Sequence, residues 1–463
     1  MTHRFQLDWA LLPTGWTRDV VATVSTAGMV TSIEAGCAAP APTERIAGFV
    51  LPGMANAHSH AFQRALAGGA ERRASSRDSF WTWRSAMYAL ANRLRPDELQ
   101  IVATQLFIEM LKAGYTSVGE FHYLHRTLDG AASGPGRFAL WDAVIAAARA
   151  AGIGLSFLPT LYQTSDFGGA PLKPEQSRFQ LDVEDYLDAI AARIGAERDA
   201  AGSPLRIGAA FHSLRAVPLD TLRQAAARLA EIDSTMPVHI HVAEQAREVK
   251  SCVSATGLRP IELLLGTGLV NDRWCLVHCT HATPAELAGI AASGAAVCVS
   301  ISTEANLGDG FFDTLRFARA DGRLCIGSDS QSTVDPAEEL RWLEYQQRLR
   351  RKRRMVLATA AEPHTGTQLW CAAAREGARA LGQPAGAIAV GQRADWIALD
   401  PDHPAIAGAA PEAMADRLIF AGGRAAIRDC LVAGRRVIKG GRHAAEAASA
   451  ETYAALMRRF AAA

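Results

Sequence analysis

Short apolar runs alternate with longer amphipathic segments through the middle of the chain. Eight runs rich in β-branched and small apolar residues predict buried strands, at 49–57, 116–121, 153–161, 206–212, 237–242, 275–279, 295–301 and 324–328. Apolar residues at helical spacing predict helices between them, at 98–113, 141–151, 183–201, 219–232 and 284–293. Buried strands that alternate with helices are typical of parallel βα units. Eight such strands predict an α/β protein with a (β/α)8 TIM barrel.

The two ends of the chain have a different pattern. Residues 1–50 and the chain from 386 onward contain alternating apolar and polar positions with glycine turns, which is typical of hairpins and short strands. We therefore predict a small β-sandwich domain built from 1–50 and 386–463, with a terminal helix, beside a barrel at 51–385. The longest irregular stretches, 68–80 and 163–178, follow the first and third predicted strands, on the barrel face where catalytic loops lie.

Composition narrows the class of protein. The chain has 48 Lys plus Arg against 47 Asp plus Glu, a net charge of +1, so nothing favours a nucleic-acid partner. No apolar stretch reaches the ~18 residues of a membrane span, and the first residues lack the pattern of a secretory signal. We therefore expect a cytoplasmic protein. Its eight cysteines are scattered without a CxxC pair, which indicates reduced, buried thiols.

Histidines and one aspartate mark the ends of predicted strands. His58 and His60 stand two residues apart after the first strand, so they point from the same face of an extended chain. His241 closes the fifth strand, with His239 one layer deeper, where a role in the core is the better interpretation. Asp329 follows the eighth strand, in a context where a carboxylate needs a cation or hydrogen bonds. The four residues other than His239 predict a site for one divalent metal ion, with zinc as the default and iron or manganese also possible.

Two further groups suit proton transfer. Glu244 lies three residues past His241, within reach of a water molecule at the site; a carboxylate that stabilises a helix start is its alternative role. His278 ends the sixth strand and is a possible ligand, but with four ligands assigned it better serves as a hydrogen-bonding partner of the attacking water. We therefore predict Glu244, His278 and Asp329 as catalytic residues.

Together these motifs resemble the amidohydrolase superfamily, in its branch of mononuclear aminohydrolases. The resemblance rests on the HxH of the first strand, the HxxE of the fifth, the sixth-strand histidine and the eighth-strand SD, and it covers essentially the whole chain. It implies a distorted (β/α)8 barrel, a metal ion that activates water, and hydrolysis of a C–N bond. A binuclear site in such barrels generally has a carboxylated lysine at a strand end. None of the five lysines follows a predicted strand, so one metal ion is favoured.

Within that superfamily the chain resembles the formimidoylglutamate deiminases of histidine breakdown. The stretches LPGMANAHSHAFQRALAG, SFWTWRSAMY, GYTSVGEFHYLHR and FHSLR carry this resemblance. It implies hydrolysis of N-formimino-L-glutamate to N-formyl-L-glutamate and ammonia, the metal ligands and catalytic residues named above, and a homodimer. The substrate-binding residues that it implies are Gln63, Arg84, Tyr123, His212 and Arg215.

The chemistry of a dicarboxylate substrate agrees with this resemblance. Two carboxylates in a partly dry pocket call for guanidinium groups, and Arg84, in the long first loop, and Arg215, past the fourth strand, can both face the metal. One alternative is a mononuclear-zinc deaminase of a nucleobase, nucleoside or other heterocycle, whose pocket would not need paired arginines. A second alternative is a metal-free relative that keeps the barrel as a scaffold for assembly, although all four ligand positions hold competent ligands.

Overall fold

The computed structural model describes residues 2–36, 43–72, 80–128, 136–198 and 204–462. Cys37 and residues 73–79 of the first predicted loop lie outside the described residues. The strands are β1 (His3–Leu12), β2 (Gly15–Val24), β3 (Val30–Ala35), β4 (Glu44–Pro52), β5 (Met54–Ser59), β6 (Tyr115–His122), β7 (Gly154–Leu161), β8 (Leu205–Ile207), β9 (Ala209–Ser213), β10 (Val238–Val242), β11 (Trp274–His278), β12 (Ala296–Val299), β13 (Arg323–Ile326), β14 (Trp396–Leu399), β15 (Ile427–Val432), β16 (Arg435–Lys439) and β17 (Arg442–His443).

The helices are α1 (Phe80–Ala91), α2 (Pro96–Ala113), α3 (Ala139–Ala151), α4 (Val183–Arg198), α5 (Leu219–Ile232), α6 (Ala246–Thr256), α7 (Pro260–Leu265), α8 (Pro284–Ser293), α9 (Ile301–Leu307), α10 (Thr314–Arg319), α11 (Pro336–Arg351), α12 (Thr365–Ala380), α13 (Met414–Arg417) and α14 (Glu446–Ala462). Shorter helical turns lie at Ala61–Leu66, Pro174–Phe179, Pro411–Ala413, Leu418–Gly422 and Gly423–Ala426. The five helices predicted from the sequence correspond to α2, α3, α4, α5 and α8. Within the described part of the chain, no helix is both long and apolar enough to cross a membrane.

The predicted parallel barrel is confirmed. Its strands follow the order β5, β6, β7, β9, β10, β11, β12 and β13, and β8 pairs only with β7. Backbone hydrogen bonds join the two ends of this sheet: the N–H groups of Ser328 and Asp329 donate to the His58 carbonyl at 3.1 and 3.0 Å. The N–H of His60 donates to the Asp329 carbonyl at 3.2 Å. The last strand of the barrel therefore ends directly beside the HxH motif.

Two predicted strands are divided in the structure. The run at 206–212 forms β8 and β9. The run at 49–57 is divided between β4, which ends at Pro52 in the terminal sheet, and β5, which begins at Met54 in the barrel. Gly53 separates them, and a Cβ at this position would lie 2.2 Å from Cγ2 of Thr116 on β6. Only glycine allows this close approach, so the chain changes sheets here. The domain boundary at 50/51 stays a prediction.

Both ends of the chain contribute to a second, mixed sheet, as the sequence predicted. Its order is β17, β16, β15, β14, β4, β1, β2 and β3, so the parallel pair β1 and β4 lies between antiparallel neighbours. Phe5, Trp396 and Leu431 belong to its core, which is separate from the main core of the barrel. The cysteines in the described residues are all free, and each is buried except the half-buried Cys371.

Candidate metal centre and active site

The predicted site residues converge at the carboxyl ends of the barrel strands, around a cavity. Ten of them line this cavity: His60, Gln63, Arg84, Tyr123, His212, Arg215, His241, Glu244, His278 and Asp329. The remaining one, His58, is fully buried, and its ring packs against those of His60 and His241. The fold therefore brings together all the residues that the sequence singled out.

A compact set of ligand atoms lies in this cavity. The set contains one atom from each of His58, His241, His278 and Asp329, all within 4.8 Å of one another. His58 Nε2 lies 3.0 Å from His241 Nε2 and 3.2 Å from Asp329 Oδ1. Atoms that bind one ion at about 2.1 Å are themselves separated by about 3.0–3.4 Å. The spacing of His58 from His241 and from Asp329 therefore fits a single metal ion.

His60 and His278 lie on different sides of Asp329. His60 Nε2 is 3.2 Å from Oδ1, the same oxygen that faces His58. His278 Nε2 is 4.0 Å from the other oxygen, Oδ2. The set of mutually close ligand atoms thus includes His278, which the sequence assigned to the attacking water. His60 is outside this set, although it contacts an oxygen of Asp329. The role of His60 as ligand and of His278 as catalytic group stays a prediction.

Backbone contacts fix two of the imidazoles in the form that a metal needs. His60 Nδ1 lies 2.8 Å from the carbonyl oxygen of Phe121, and His241 Nδ1 lies 2.9 Å from that of His212. A carbonyl only accepts, so both Nδ1 atoms donate, and in the neutral ring the lone pair is at Nε2. Both Nε2 atoms can therefore act as ligands.

The protonation states of the cluster also fit a cation. Burial lowers the pKa of His58 to about 3 and holds the pKa of His241 well below its usual range. Burial alone would raise the pKa of Asp329, but its close contacts with His58 and His60 hold it well below its ordinary value. Neutral nitrogen donors beside an ionised carboxylate are the ligands that divalent transition metals prefer.

Glu244 and His278 face each other beside this cluster. Glu244 Oε1 lies 3.8 Å from His278 Nε2. The loop after β10 is held by Glu248, whose carboxylate accepts from the N–H groups of Ala243 at 3.2 Å and Glu244 at 3.0 Å. Burial raises the pKa of Glu244 to about 7. Burial alone would lower the pKa of His278, but the Glu244 and Glu304 carboxylates raise it to about 10.

Glu304 is a residue of this site that the sequence analysis missed. Its Oε1 lies 3.4 Å from His278 Nδ1 and accepts from the backbone N–H of Ser300 at 3.2 Å. Its Oε2 is buried and has no hydrogen-bond partner among the described residues. The available signal was a carboxylate in the first turn of a helix that directly follows the seventh strand. No HxH-like spacing marks it, and its contact with His278 depends on the pairing of β11 with β12.

Left-handed backbone occurs where three functional strands end. The φ angles are 53° at Ala243, 72° at His278 and 45° at Asp329. Such conformations cost about 1–3 kcal/mol for residues other than glycine and concentrate at functional sites. Ala243 follows β10, His278 ends β11 and Asp329 follows β13. The backbone therefore changes direction at, or next to, the residues of the cluster.

The predicted substrate-binding arginines line the same cavity as the predicted metal ligands, but Arg84 is not in an irregular loop as the sequence suggested. It lies in α1, with its guanidinium 4.4 Å from the ring centroid of Trp81. Arg215 Nη1 donates to the carbonyl of Ser165 at 2.8 Å. No carboxylate of the described residues forms a salt bridge with either guanidinium. Two guanidinium groups that line one cavity and have no carboxylate within salt-bridge distance among the described residues suit an anionic ligand.

The remaining predicted binding residues include one free acceptor. Gln63 Nε2 donates to Tyr123 Oη at 2.9 Å, while Gln63 Oε1 is buried and has no partner within the described chain. His212 Nδ1 lies 3.2 Å from Ser213 Oγ. An unpaired amide oxygen in the same cavity as the predicted metal ligands can accept from an N–H group of a substrate.

The chain belongs to the amidohydrolase family, whose model matches residues 49–437. Among curated proteins it is 49% identical over 445 residues to a formimidoylglutamate deiminase from Pseudomonas aeruginosa, covering 96% of each chain. It is 26% identical over 367 residues to an 8-oxoguanine deaminase from the same species, covering 78% of this chain and 76% of that one. Among solved structures, an amidohydrolase from Brucella melitensis superposes with a TM-score of 0.91, at 40% identity over 99% of both chains.

Proposed function

We propose that the chain hydrolyses N-formimino-L-glutamate to N-formyl-L-glutamate and ammonia. The observation that carries this function is the 49% identity, over 96% of both chains, to a protein named for this deimination. The cavity supports it independently, because predicted metal ligands and two guanidinium groups without a carboxylate partner among the described residues line the same space. The chain is thus a hydrolase that acts on a C–N bond of a linear amidine.

We propose one zinc ion per chain, held by His58, His60, His241 and Asp329. Imidazole nitrogens with one carboxylate oxygen are typical zinc ligands, and the spacing of 3.0–3.2 Å between their atoms supports the assignment. When bound, such an ion lowers the pKa of water to about 7 and supplies a nucleophile at neutral pH.

Glu244 and His278 then handle the protons of the reaction. The terminal nitrogen of the substrate amidine is protonated in solution. Glu244 takes one proton from the attacking water at its carboxylate and returns it to this nitrogen, which leaves as ammonia, and the second water proton is released as the formyl carbonyl forms. Its pKa of about 7 suits a group that must both accept and donate a proton. His278, charged and hydrogen-bonded to Glu304 through Nδ1, holds the water with Nε2. Asp329 orients the same water from the opposite side.

Arg84 and Arg215 bind the two carboxylates of the substrate. Guanidinium groups form paired hydrogen bonds with carboxylates, and both arginines line the cavity. Gln63 Oε1 accepts from a substrate N–H, and Tyr123 and His212 complete the wall on this side. A heterocyclic substrate would leave the two guanidinium groups unpaired.

We place this reaction in histidine breakdown and expect a cytoplasmic homodimer. The pathway and the dimer follow from the family resemblance, and the cytoplasmic location is the expectation drawn from the sequence. Sedimentation velocity tests the dimer directly: a species near twice the 49.4 kDa chain mass supports it, and a monomer at micromolar concentration contradicts it.

An ammonia-release assay tests the function. The purified chain is supplied with N-formimino-L-glutamate, 8-oxoguanine, guanine, cytosine or adenosine under the same conditions. We expect turnover of the formimino compound to exceed that of each heterocycle by several orders of magnitude. Equal or faster deamination of a heterocycle would contradict the assignment and favour the alternative predicted from the sequence.

A further inference from the structure

We propose that the phenol hydroxyls of Tyr88 and Tyr162 bind a carboxylate of the substrate, and that Gln176 turns both hydroxyl hydrogens toward it. Both tyrosines line the cavity, and the sequence analysis did not single them out. The proposal deepens the proposed function, because it adds neutral donors to the guanidinium groups that recognise a dicarboxylate.

The side-chain amide of Gln176 has one orientation that satisfies its surroundings. The residue is only 1% exposed. Its Oε1 accepts from the backbone N–H of Lys173 at 3.0 Å, a donor that must meet an oxygen. Its Nε2 therefore faces two phenol oxygens, at 3.1 Å from Tyr88 Oη and 2.8 Å from Tyr162 Oη. The two hydrogens of this amide are donated one to each tyrosine.

The phenol hydrogens are left for another acceptor. Tyr162 Oη accepts from Gln176 and also lies 3.4 Å from Arg215 Nη1, so its oxygen is occupied as an acceptor. Tyr88 Oη likewise accepts from Gln176. Among the described residues, no hydrogen bond takes the hydrogen of either phenol. An acceptor must therefore come from the cavity that both side chains line.

The charges around the two phenols identify the class of acceptor. The guanidinium of Arg84 lies 5.3 Å from the ring centroid of Tyr88, and that of Arg215 contacts Tyr162. Burial raises the pKa of Tyr88 well above its ordinary value, so it stays a neutral donor. A carboxylate has about four acceptor sites and can be bound by two phenols and a guanidinium at once. A ring nitrogen or carbonyl of a heterocycle has too few acceptor sites to bind all three donors.

Removal of single hydroxyls tests the binding role. Tyr88→Phe and Tyr162→Phe should each raise the KM for N-formimino-L-glutamate about tenfold or more, the usual effect of losing a hydrogen bond to a charged group. The kcat should change by less than about threefold, because neither hydroxyl touches the reacting carbon. Tyr453→Phe is the matched control: its hydroxyl donates to the Arg64 carbonyl at 3.2 Å, and its KM should match that of the wild type.

Two substrate analogues show whether the phenols bind a carboxylate. N-formimino-L-norvaline lacks the side-chain carboxylate, and N-formimino-4-aminobutanoate lacks the α-carboxylate. The two Phe variants should lose kcat/KM, relative to the wild type, with the analogue that keeps the carboxylate they bind and not with the other. Equal losses with both analogues, or none with either, would overturn the proposal.

Gln176→Glu tests the positioning role of the amide. A carboxylate at this position accepts the hydrogens of both phenols and so withdraws them from the substrate. We expect its KM to rise about as much as that of the Tyr88→Phe/Tyr162→Phe double variant, with no further rise when all three changes are combined. Gln176→Glu is also measured in the wild type and in the Tyr88→Phe/Tyr162→Phe double variant. If it raises KM by the same factor in both, the substitution acts through its charge alone, and the positioning role is wrong.

The wild type separates this proposal from the proposed function. A metal-loaded wild-type chain that releases no ammonia from N-formimino-L-glutamate refutes the function itself. Wild-type turnover with an unchanged KM in both Phe variants refutes only the role of the phenols.

Discussion

His58 Nε2 and His241 Nε2 lie 3.0 Å apart, and Asp329 Oδ1 lies 3.2 Å from His58 Nε2. One hydrogen shared between the imidazoles can satisfy two of these three atoms. Because the carboxylate oxygen and the nitrogens all direct lone pairs into the same space, a cation at that point satisfies the three together. The fold therefore creates the need for a cation, because β5 and β10 bring the two histidines together.

Metal removal should therefore reduce both activity and stability. A ligand present at a hundredfold excess over its Kd stabilises a protein by about 2.7 kcal/mol. For a chain of this size such a loss corresponds to a fall in Tm of about 3 °C after treatment with a chelator. Calorimetry with and without chelator measures this, together with metal content by mass spectrometry. Zinc should restore both properties. A purified chain that neither contains nor retains a transition metal would instead favour the scaffold alternative.

Substitution of single histidines should separate ligands from the catalytic group. His60→Ala should lose the metal, because His60 faces the oxygen of Asp329 that His58 also contacts. His278→Ala should keep the metal and lose about 10²-fold or more in kcat, because we assign it to the attacking water. Metal content and kcat are measured on the same samples. The reverse pattern, with metal lost only from the His278 variant, would exchange the two roles.

Glu244→Gln should lower kcat by about 10²–10⁴-fold and leave KM within a few-fold of the wild type. The amide keeps the size of the side chain but cannot carry a proton from water to the leaving nitrogen. Steady-state assays with N-formimino-L-glutamate measure both constants, and metal analysis verifies that the site is intact. An unchanged kcat would remove Glu244 as the proton shuttle.

Arg215→Ala and Arg84→Ala should chiefly weaken substrate binding. Loss of one partner of a buried charge pair costs about 2–5 kcal/mol, so KM should rise about 30-fold or more. The kcat should fall less than KM rises. Arg18→Ala, on the terminal sheet, is an exposed control, since this side chain is 71% exposed and forms an ion pair with Asp19. A KM that responds to neither cavity arginine would contradict the dicarboxylate assignment.

Much of this architecture could be predicted because barrel strands have buried, β-branched sequences and end in polar groups. His58, His241 and Asp329 were recognisable for that reason, as side chains that break an apolar run where a strand ends. The division at Gly53 was missed because apolar residues continue on both sides of it, and only the close approach to Thr116 explains the change of sheet.

Long-range contacts account for the other omissions. Arg84 was placed in a loop because the aromatic residues around it do not form a clear amphipathic stripe, whereas the structure forms α1 there. Tyr88, Tyr162 and Glu304 carry no local spacing signal. Their roles depend on which strand ends and loops are neighbours, which becomes visible only in the folded chain.

Glu304 gives the last prediction, because it acts on the reaction only through His278. Its Oε1 contacts His278 Nδ1 and accepts from the N–H of Ser300, so Glu304→Gln keeps an acceptor for both while it removes the charge. We expect kcat to fall about tenfold with KM unchanged, since a neutral partner stabilises the imidazolium less well. Glu304→Ala should lower kcat further, and the partial rescue by Gln distinguishes positioning from a loss of folding. Glu338→Gln is the control, because this carboxylate accepts from the Thr333 hydroxyl and does not line the cavity. If both Glu304 variants turn over substrate at the wild-type rate, the orientation of His278 does not depend on this carboxylate.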